Sequence, residues 1–140
     1  MCFAPLVLIG YLFTLQPNSA HTTNLNSTLL EYQTCEQGPG LDVKASVSGV
    51  YAASAQYGFS IVNHENSMSF TLTPKVGVGW LDRPVPELST TVNFSLGLQL
   101  LARYEWATVS TEYWHLSNAG LGSVNAGLDM IALMGGISFH

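Results

Sequence analysis

Hydrophobic and polar residues alternate with a period of two along most of the chain after Asp42. In residues 67–81 the even positions carry Met, Phe, Leu, Pro, Val and Trp, whereas the odd positions up to Gly79 carry Ser, Thr, Lys and Gly. The same alternation recurs in 43–61 and 91–104, and residues 107–117 and 128–139 are predicted to form two further strands. This pattern gives a β-strand one apolar face and one polar or small face, so it predicts long strands. The 43–61 segment is too long for one strand and is expected to fold into two around residues 49–54.

The predicted strands are longer than those of most soluble sheets. Segments of 11–14 residues exceed the usual ~5–6 residues and match the length that a tilted strand needs to cross a bilayer. The polar face carries Ser, Thr, Asn and Gly more than Lys and Glu, which suits a narrow interior better than bulk water. We therefore predict an all-β fold, a small antiparallel transmembrane β-barrel, in which closure pairs every backbone group.

The number of strands follows from the class of barrel. Barrels of this class have an even number of strands and at least eight, so we expect eight, of which five are clear in the pattern. About 120 residues after a removed N-terminus supply eight strands only with very short turns, which leaves an incomplete barrel as an alternative. A soluble β-sandwich or lipocalin-like barrel, with its apolar face turned inward, is the other alternative.

The N-terminal segment has a different pattern. Residues 1–20, "MCFAPLVLIGYLFTLQPNSA", contain an apolar run followed by small residues up to Ala20, which is the outline of a signal peptide. No basic residue precedes the run, so a buried helix or a membrane anchor is the alternative. Cleavage after Ala20 would leave Cys35 as the remaining cysteine, and no internal disulfide is then expected. We assign residues 21–40 to an N-terminal loop or short strand and residues 41–140 to the barrel domain.

Charge is scarce and evenly scattered. Only 9% of the residues are charged, against about 25% in an ordinary soluble domain, while 47% are hydrophobic and the mean hydropathy is +0.25. The net charge is −5 with four basic residues, so no basic stripe exists to neutralise phosphates and nucleic acid is excluded as a partner. Lys75, Arg103 and Glu112 lie on the inward parity and are expected to pair inside the barrel.

The connections between the later strands alternate between long and short. Residues 117–127 and 81–90 form long connections, whereas residues 105–106 and 63–66 form short ones. In outer-membrane barrels the short turns lie on the periplasmic side and the longer loops lie outside. We therefore expect the chain in the bacterial outer membrane, with the 117–127 loop facing the cell exterior.

Residues 115–129, "HLSNAGLGSVNAGLD", hold the candidate chemistry. His115 and Ser117 lie on the apolar, lipid-facing parity of one strand, separated by roughly 7 Å at ~3.3 Å per residue. Asp129 lies on the same face at the start of the next strand, so antiparallel pairing is expected to bring the three side chains together near the outer rim. Charged groups that face lipid are unfavourable unless they lie at the interface or are functional.

Two interpretations of this cluster stay open at this point. The H-x-S spacing is a weak signal, but the Asn-Ala-Gly of residues 118–120 forms turns and would aim backbone N–H groups at an oxyanion. Alternatively, the three polar side chains lie above the hydrocarbon and are solvated among headgroups, with Trp106 and Trp114 in an aromatic girdle. Parity does not decide between an active site and a polar rim.

The same segment resembles the lipid A 3-O-deacylases of the PagL type, eight-stranded outer-membrane barrels with the motif H-x-S-N-A-G, an N-x-G and a carboxylate. The resemblance is specific over residues 115–129 and general, in pattern and spacing, over residues 57–139. It implies that Ser117 is the nucleophile and that His115 is its general base. It also implies that Asp129 is the acid that orients the histidine.

The resemblance extends to the loop that follows. It implies that Asn118 and Gly120 stabilise the oxyanion and that Asn125 shapes the loop. The family usually has Glu where this chain has Asp129. Because Asp is one methylene shorter than Glu, its carboxylate is expected to reach less far toward His115.

The function implied by the resemblance is that of a serine-type ester hydrolase. It would remove an ester-linked 3-hydroxyacyl chain from lipid A, the membrane anchor of lipopolysaccharide in the outer leaflet, and would need no metal or other cofactor. A phospholipase or acyloxyacyl hydrolase with the same site is the alternative among enzymes. A non-catalytic small barrel with a structural or adhesion role is the alternative outside them. The sequence does not determine the oligomeric state.

Overall fold

The computed structural model describes residues 5–15, 24–63, 68–83, 85, 88, 90–123 and 127–139. In this part of the chain eight strands form a closed antiparallel barrel, in which each strand pairs with the next and β8 pairs with β1. The strands are β1 (Leu6–Leu15), β2 (Ser27–Gln33), β3 (Gly38–Ser46), β4 (Val50–Asn63), β5 (Met68–Leu81), β6 (Val92–Tyr104), β7 (Ala107–Ser117) and β8 (Leu128–Ser138). The predicted eight-stranded barrel is confirmed. Among the described residues, no helix is long and apolar enough to cross a membrane.

Side chains alternate between the interior and the exterior along each strand. In β7 every second residue from Thr108 to Leu116 is buried, and the residues between them face outward. The exterior is apolar around the whole circumference: Ile9 is 59% exposed, Phe94 52% and Leu133 52%. A closed barrel with an apolar outer wall is stable when a bilayer covers that wall, so the strands are membrane-spanning, as in outer-membrane barrels.

The first strand corrects the predicted domain boundaries. Residues 6–15, which the sequence assigned to a removable signal peptide, form β1 and pair with both β2 and β8. Loss of residues 1–20 would open the barrel and leave two unpaired strand edges, which lipid does not tolerate. The segment assigned to a loop or short strand, residues 21–40, contains β2 and the start of β3. The barrel therefore begins at β1 and not at residue 41.

A charged layer crosses the interior of the barrel. Its members are all at most 3% exposed: Glu31, Asp42, Lys44, Lys75 and Glu112. Lys44 Nζ lies 2.5 Å from Asp42 Oδ2. Lys75 Nζ forms an ion pair with Glu31 and lies 3.3 Å from Glu112 Oε2. Opposite charges in contact offset the large cost of taking each ion out of water.

Arg103 pairs near the end of the interior where β6 ends. Its Nε donates to Glu36 Oε2 at 2.7 Å, and Glu36 Oε1 accepts a hydrogen bond from Ser69 Oγ at 3.0 Å. The prediction that Lys75, Arg103 and Glu112 are paired inside the barrel is therefore confirmed. Lys75 and Glu112 contact each other in the charged layer, whereas Arg103 pairs with Glu36 at another level of the interior.

Lys75→Met should strongly destabilise the barrel. The change leaves Lys44 as the cation facing three buried carboxylates of the layer, and removing one partner of a buried ion pair costs about 3–5 kcal/mol. The measurement is the urea dependence of unfolding in detergent, followed by the heat-modifiable shift in electrophoresis. Arg83→Met removes the same charge from an exposed residue of the β5–β6 connection and should change stability by less than about 0.5 kcal/mol. Equal stability of the two variants would contradict the assigned role of the layer.

Trp114 does not belong to an aromatic girdle, so this part of the polar-rim interpretation is wrong. Its indole is fully buried, and Nε1 donates to Ser95 Oγ at 2.8 Å. Lys44 Nζ lies 5.2 Å from the ring centroid, within cation–π range. The reason is parity, since Trp114 occupies an inward position of β7. Trp106, in the β6–β7 turn, is 60% exposed.

The two ends of the barrel differ in the lengths of their connections. One end has three long connections, residues 16–26, 82–91 and 118–127, together with the short turn 47–49; the other end has only short ones, residues 34–37, 64–67 and 105–106. The end with the long connections faces the cell exterior in barrels of this class.

The 43–61 segment turns at residues 47–49, slightly before the predicted position, and Gly49 there has a φ of 88° that favours glycine.

The state of the cysteines also differs from the expectation. Cys35 is fully buried and disulfide-bonded. The expectation of no internal disulfide was wrong because it depended on loss of residues 1–20. The other cysteine of the chain, Cys2, lies outside the described residues.

Candidate active site

His115 and Asp129 form a hydrogen-bonded pair on the outer wall, at the end of the barrel with the long connections. The β7–β8 register places the two residues directly opposite each other. His115 Nδ1 lies 2.6 Å from Asp129 Oδ1, and the side chains are 28% and 40% exposed. Cβ atoms of directly opposed residues are about 4.5–5.5 Å apart, which is close enough for the shorter Asp side chain to reach the imidazole. The absence of one methylene therefore does not prevent the contact.

Ser117 is the last residue of β7 and has the same parity as His115. It lies opposite Phe94 of β6, where the barrel wall ends and the β7–β8 connection begins. Its Oγ accepts a hydrogen bond from Ala119 N–H at 3.2 Å. The structure therefore places Ser117 two residues beyond His115 on the same face, about 7 Å along the strand.

The turn after Ser117 is held in an unusual backbone conformation. Ala119 has a φ of 54° and Gly120 a φ of 80°. A left-handed residue other than glycine costs roughly 1–2 kcal/mol, so the surroundings must hold Ala119 in place. Asn118 is 1% exposed, and its Oδ1 accepts a hydrogen bond from Gly120 N–H at 3.0 Å. The two residues predicted to stabilise an oxyanion thus bond to each other and shape the turn.

Tyr113 is a member of the cluster that the sequence analysis did not identify. It lies on the same face of β7, two residues before His115, and is 43% exposed. Its hydroxyl donates to Asp129 Oδ1, the same oxygen that contacts His115. The i, i+2 spacing was the available signal, but an outward tyrosine near a membrane interface is equally explained as an aromatic anchor.

Gly127, immediately before β8, is a second residue that the sequence analysis missed. Its φ is 80°, and a Cβ at this position would lie 2.9 Å from His115 Cε1. The imidazole therefore packs against a backbone that has no side chain. Asn125, predicted to shape this loop, lies outside the described residues.

The cluster is set into an apolar surface. Leu96 of β6 lies opposite His115, and Leu15 of β1 lies opposite Asp129. Both leucines face outward, at 50% and 41% exposure. A serine on the same face as an imidazole that is itself bound to a carboxylate has the residue types of nucleophilic acyl transfer. The position on the outer wall suits a substrate that is itself embedded in lipid.

Comparisons with known proteins agree with this architecture. Residues 7–138 match the sequence model of a family described as lipid A 3-O-deacylase (PagL). Among solved structures, the outer membrane enzyme PagL is similar with a TM-score of 0.62 and 13% identity, over 95% of this chain and 98% of that one. Ail, the attachment invasion locus protein of Yersinia pestis, in complex with sucrose octasulfate, is similar with a TM-score of 0.54 and 14% identity, over 99% and 100%. Comparison with curated protein sequences gives no match.

The two kinds of similarity carry different weight. At such low identities the likeness to PagL and Ail shows a shared fold and nothing finer. The sequence match is stronger evidence, because it extends from β1 to the last residue of β8 and so includes the whole barrel together with the His115–Asp129 pair. The chain therefore belongs to the lipid A 3-O-deacylase (PagL) family of outer-membrane β-barrels.

Proposed function

We propose that the protein is an outer-membrane serine esterase that removes an ester-linked 3-hydroxyacyl chain from lipid A. The observation that carries the proposal is the 2.6 Å contact between His115 and Asp129 on the lipid-facing wall, with Ser117 on the same face. Family membership supports lipid A as the substrate class. The roles of the three residues are part of the proposal.

The reaction proceeds through an acyl-enzyme. Asp129 accepts the Nδ1–H of His115, which leaves Nε2 free to take the proton of Ser117 as Oγ attacks the ester carbonyl. The tetrahedral intermediate collapses, the bond from the carbonyl carbon to the sugar oxygen breaks, and the imidazolium returns its proton to that oxygen. A water molecule, deprotonated by His115, then attacks the acyl-Ser117 ester; the bond from the carbonyl carbon to Oγ breaks, the imidazolium returns its proton to Oγ, and the 3-hydroxy fatty acid leaves. The carboxylate stabilises the imidazolium in both steps.

The developing oxyanion would be received by backbone N–H groups of the 118–120 turn. Ala119 N already lies 3.2 Å from Ser117 Oγ. In the tetrahedral intermediate Oγ is bonded to the carbon that carries the oxyanion, so this N–H is close to the developing charge. The Gly120 N–H is engaged by the Asn118 side chain, so Asn118 is assigned to hold the turn and Gly120 to permit its left-handed backbone. Donors fixed before the reaction stabilise the oxyanion without reorganisation.

The site's position accounts for access to such a substrate. Lipid A lies in the outer leaflet, where its acyl chains remain in hydrocarbon and its ester bonds lie near the polar interface. The apolar side chains on both sides of the polar cluster, Leu96 and Leu15, would face those acyl chains. No transfer of the substrate into the barrel interior is needed.

Mass spectrometry of lipid A from cells that express the protein tests the proposal. Loss of one 3-hydroxyacyl group, with the same mass of free fatty acid released, is the expected result. Release of fatty acid from phospholipid instead would indicate a phospholipase with the same site. Unchanged lipid A and phospholipid, from a barrel shown to be folded, would indicate a non-catalytic barrel and overturn the proposal.

Gly127→Ala should lower the deacylation rate by about 10–100-fold, because a Cβ at Gly127 would displace the imidazole of His115 and displacements of about 1 Å have effects of this size. Initial rates in detergent micelles with purified lipid A would measure the loss. Gly38→Ala is the matched control: Gly38 also has a φ of 80°, but its Cβ would meet nothing within 4 Å. A similar loss in both variants would attribute the effect to backbone strain and not to His115.

A further inference from the structure

We propose that Tyr113 is a positioning residue, which holds the carboxylate of Asp129 in its bond with His115. This inference rests on the proposed function. Tyr113 is not assigned a contact with the reacting ester. Its role is exerted through the carboxylate.

The geometry around one oxygen atom carries the inference. Tyr113 lies opposite Ile131 in the β7–β8 register, whereas His115 lies opposite Asp129. The tyrosine side chain therefore reaches diagonally across the strand pair, toward the long-connection end, to donate its hydroxyl to Asp129 Oδ1. The same Oδ1 lies 2.6 Å from His115 Nδ1. A carboxylate oxygen has two lone pairs and accepts both donors at once.

The pair lies on a partly exposed surface. With 28% and 40% of their side chains exposed, His115 and Asp129 are only partly surrounded by other protein groups. The terminal torsion of an aspartate is soft, so one hydrogen bond leaves the carboxylate free to rotate. A second donor on the same oxygen restricts that rotation. The rigid tyrosine ring, anchored on β7 beside His115, supplies this donor from a fixed distance.

The direction of the effect distinguishes positioning from electrostatics. A hydroxyl that donates to the carboxylate withdraws part of the negative charge that stabilises the imidazolium of His115. If charge dominated, removal of the Tyr113 hydroxyl would raise the rate. If orientation dominates, as we infer, removal lowers the rate, because the carboxylate spends less time in line with Nδ1.

Tyr113→Phe is expected to lower kcat for lipid A deacylation about tenfold and to leave KM unchanged. Tenfold corresponds to about 1.4 kcal/mol, near the lower end of what a hydrogen bond to a charged group contributes. Tyr57→Phe is the matched control, because Tyr57 is similarly exposed on the outer wall, at 47%, three strands away on β4. An unchanged or increased kcat in Tyr113→Phe would overturn the inference, as would a change confined to KM.

A double-mutant cycle tests whether the effect acts through the carboxylate. In an Asp129→Ala background, Tyr113→Phe should have almost no further effect on kcat, because the group that it positions is gone. An additional tenfold loss in that background would show that Tyr113 acts independently of Asp129. That result would overturn the inference and leave the proposed function standing.

A spectroscopic readout separates failure of the inference from failure of the proposed function. In the folded barrel with ¹⁵N-labelled histidine, the Nδ1 proton of His115 should give a sharp downfield resonance, assigned by its loss in His115→Gln. Tyr113→Phe should broaden or abolish that resonance, whereas Tyr57→Phe should preserve it. A resonance unchanged by Tyr113→Phe would overturn the inference whether or not the protein deacylates lipid A. An inactive wild-type barrel with the expected resonances would overturn the proposed function alone.

Discussion

Ser117→Ala should abolish deacylation of lipid A while the barrel folds normally. The change removes the proposed nucleophile, and loss of the nucleophile in a serine hydrolase lowers kcat by at least about 10³-fold, often far more. Ser117 is the last residue of β7 and is only partly buried, so its hydroxyl contributes little to packing. The measurement is the rate of 3-hydroxy fatty acid release from lipid A, with the heat-modifiable shift as the check on folding.

The control for this variant comes from the same connection. Ser123 is exposed in the β7–β8 connection, and Ser123→Ala removes an equivalent hydroxyl. It should deacylate lipid A at the wild-type rate. If Ser117→Ala retained activity comparable with Ser123→Ala, Ser117 would not be the nucleophile, and the proposed mechanism would fail even if lipid A were still the substrate.

Asp129→Asn should lower the rate by about 10²–10⁴-fold, a large effect but smaller than that of Ser117→Ala. The amide has nearly the same volume as the carboxylate but no negative charge to stabilise the imidazolium of His115. Its NH₂ group is also able to face Nδ1 and favour the wrong tautomer. The rate is measured with the same lipid A preparation. Glu105→Gln makes the same chemical change in the exposed β6–β7 turn at the opposite end and should have no effect.

The activity of Asp129→Asn also shows whether the catalytic site has two residues or three. If Asp129→Asn were as active as the wild type, the contact with His115 would be incidental and the site would be at most a His115–Ser117 dyad. Asp129→Glu should deacylate lipid A no faster than the wild type. Asp129 Oδ1 already lies 2.6 Å from His115 Nδ1, so a longer side chain has no gap to close.

The sequence by itself determined the wall of the barrel from β4 to β8. A tilted strand between lipid and a narrow lumen requires alternating side chains, and this requirement appears directly as a period of two. Parity therefore predicted that Lys75 and Glu112 face inward and that His115, Ser117 and Asp129 share the outward face, as the structure has them. The motif that residues 115–129 resemble lies within one short segment, so its recognition did not depend on the assignment of the first strand.

The first strand was misassigned for a physical reason. The outward residues of β1 face lipid, while its inward Leu6, Leu8 and Leu12 join an apolar part of the interior and are fully buried. Both faces are therefore largely apolar, the period of two disappears, and an apolar run of this length is typical of a signal peptide. Only pairing with β2 and β8 distinguishes such a strand from a leader.

Only the tertiary structure decided which groups around the site touch each other. Odd or even position determines which face of the sheet a residue lies on but not which residue lies opposite it. Two strands can pair in many registers, and each register brings different side chains into contact. The observed β7–β8 register places Asp129 opposite His115, gives Tyr113 the same carboxylate oxygen, and brings the backbone of Gly127 against the imidazole. These contacts join residues 12 to 16 positions apart in the chain, and the register is set by closure of all eight strands, which no local pattern contains.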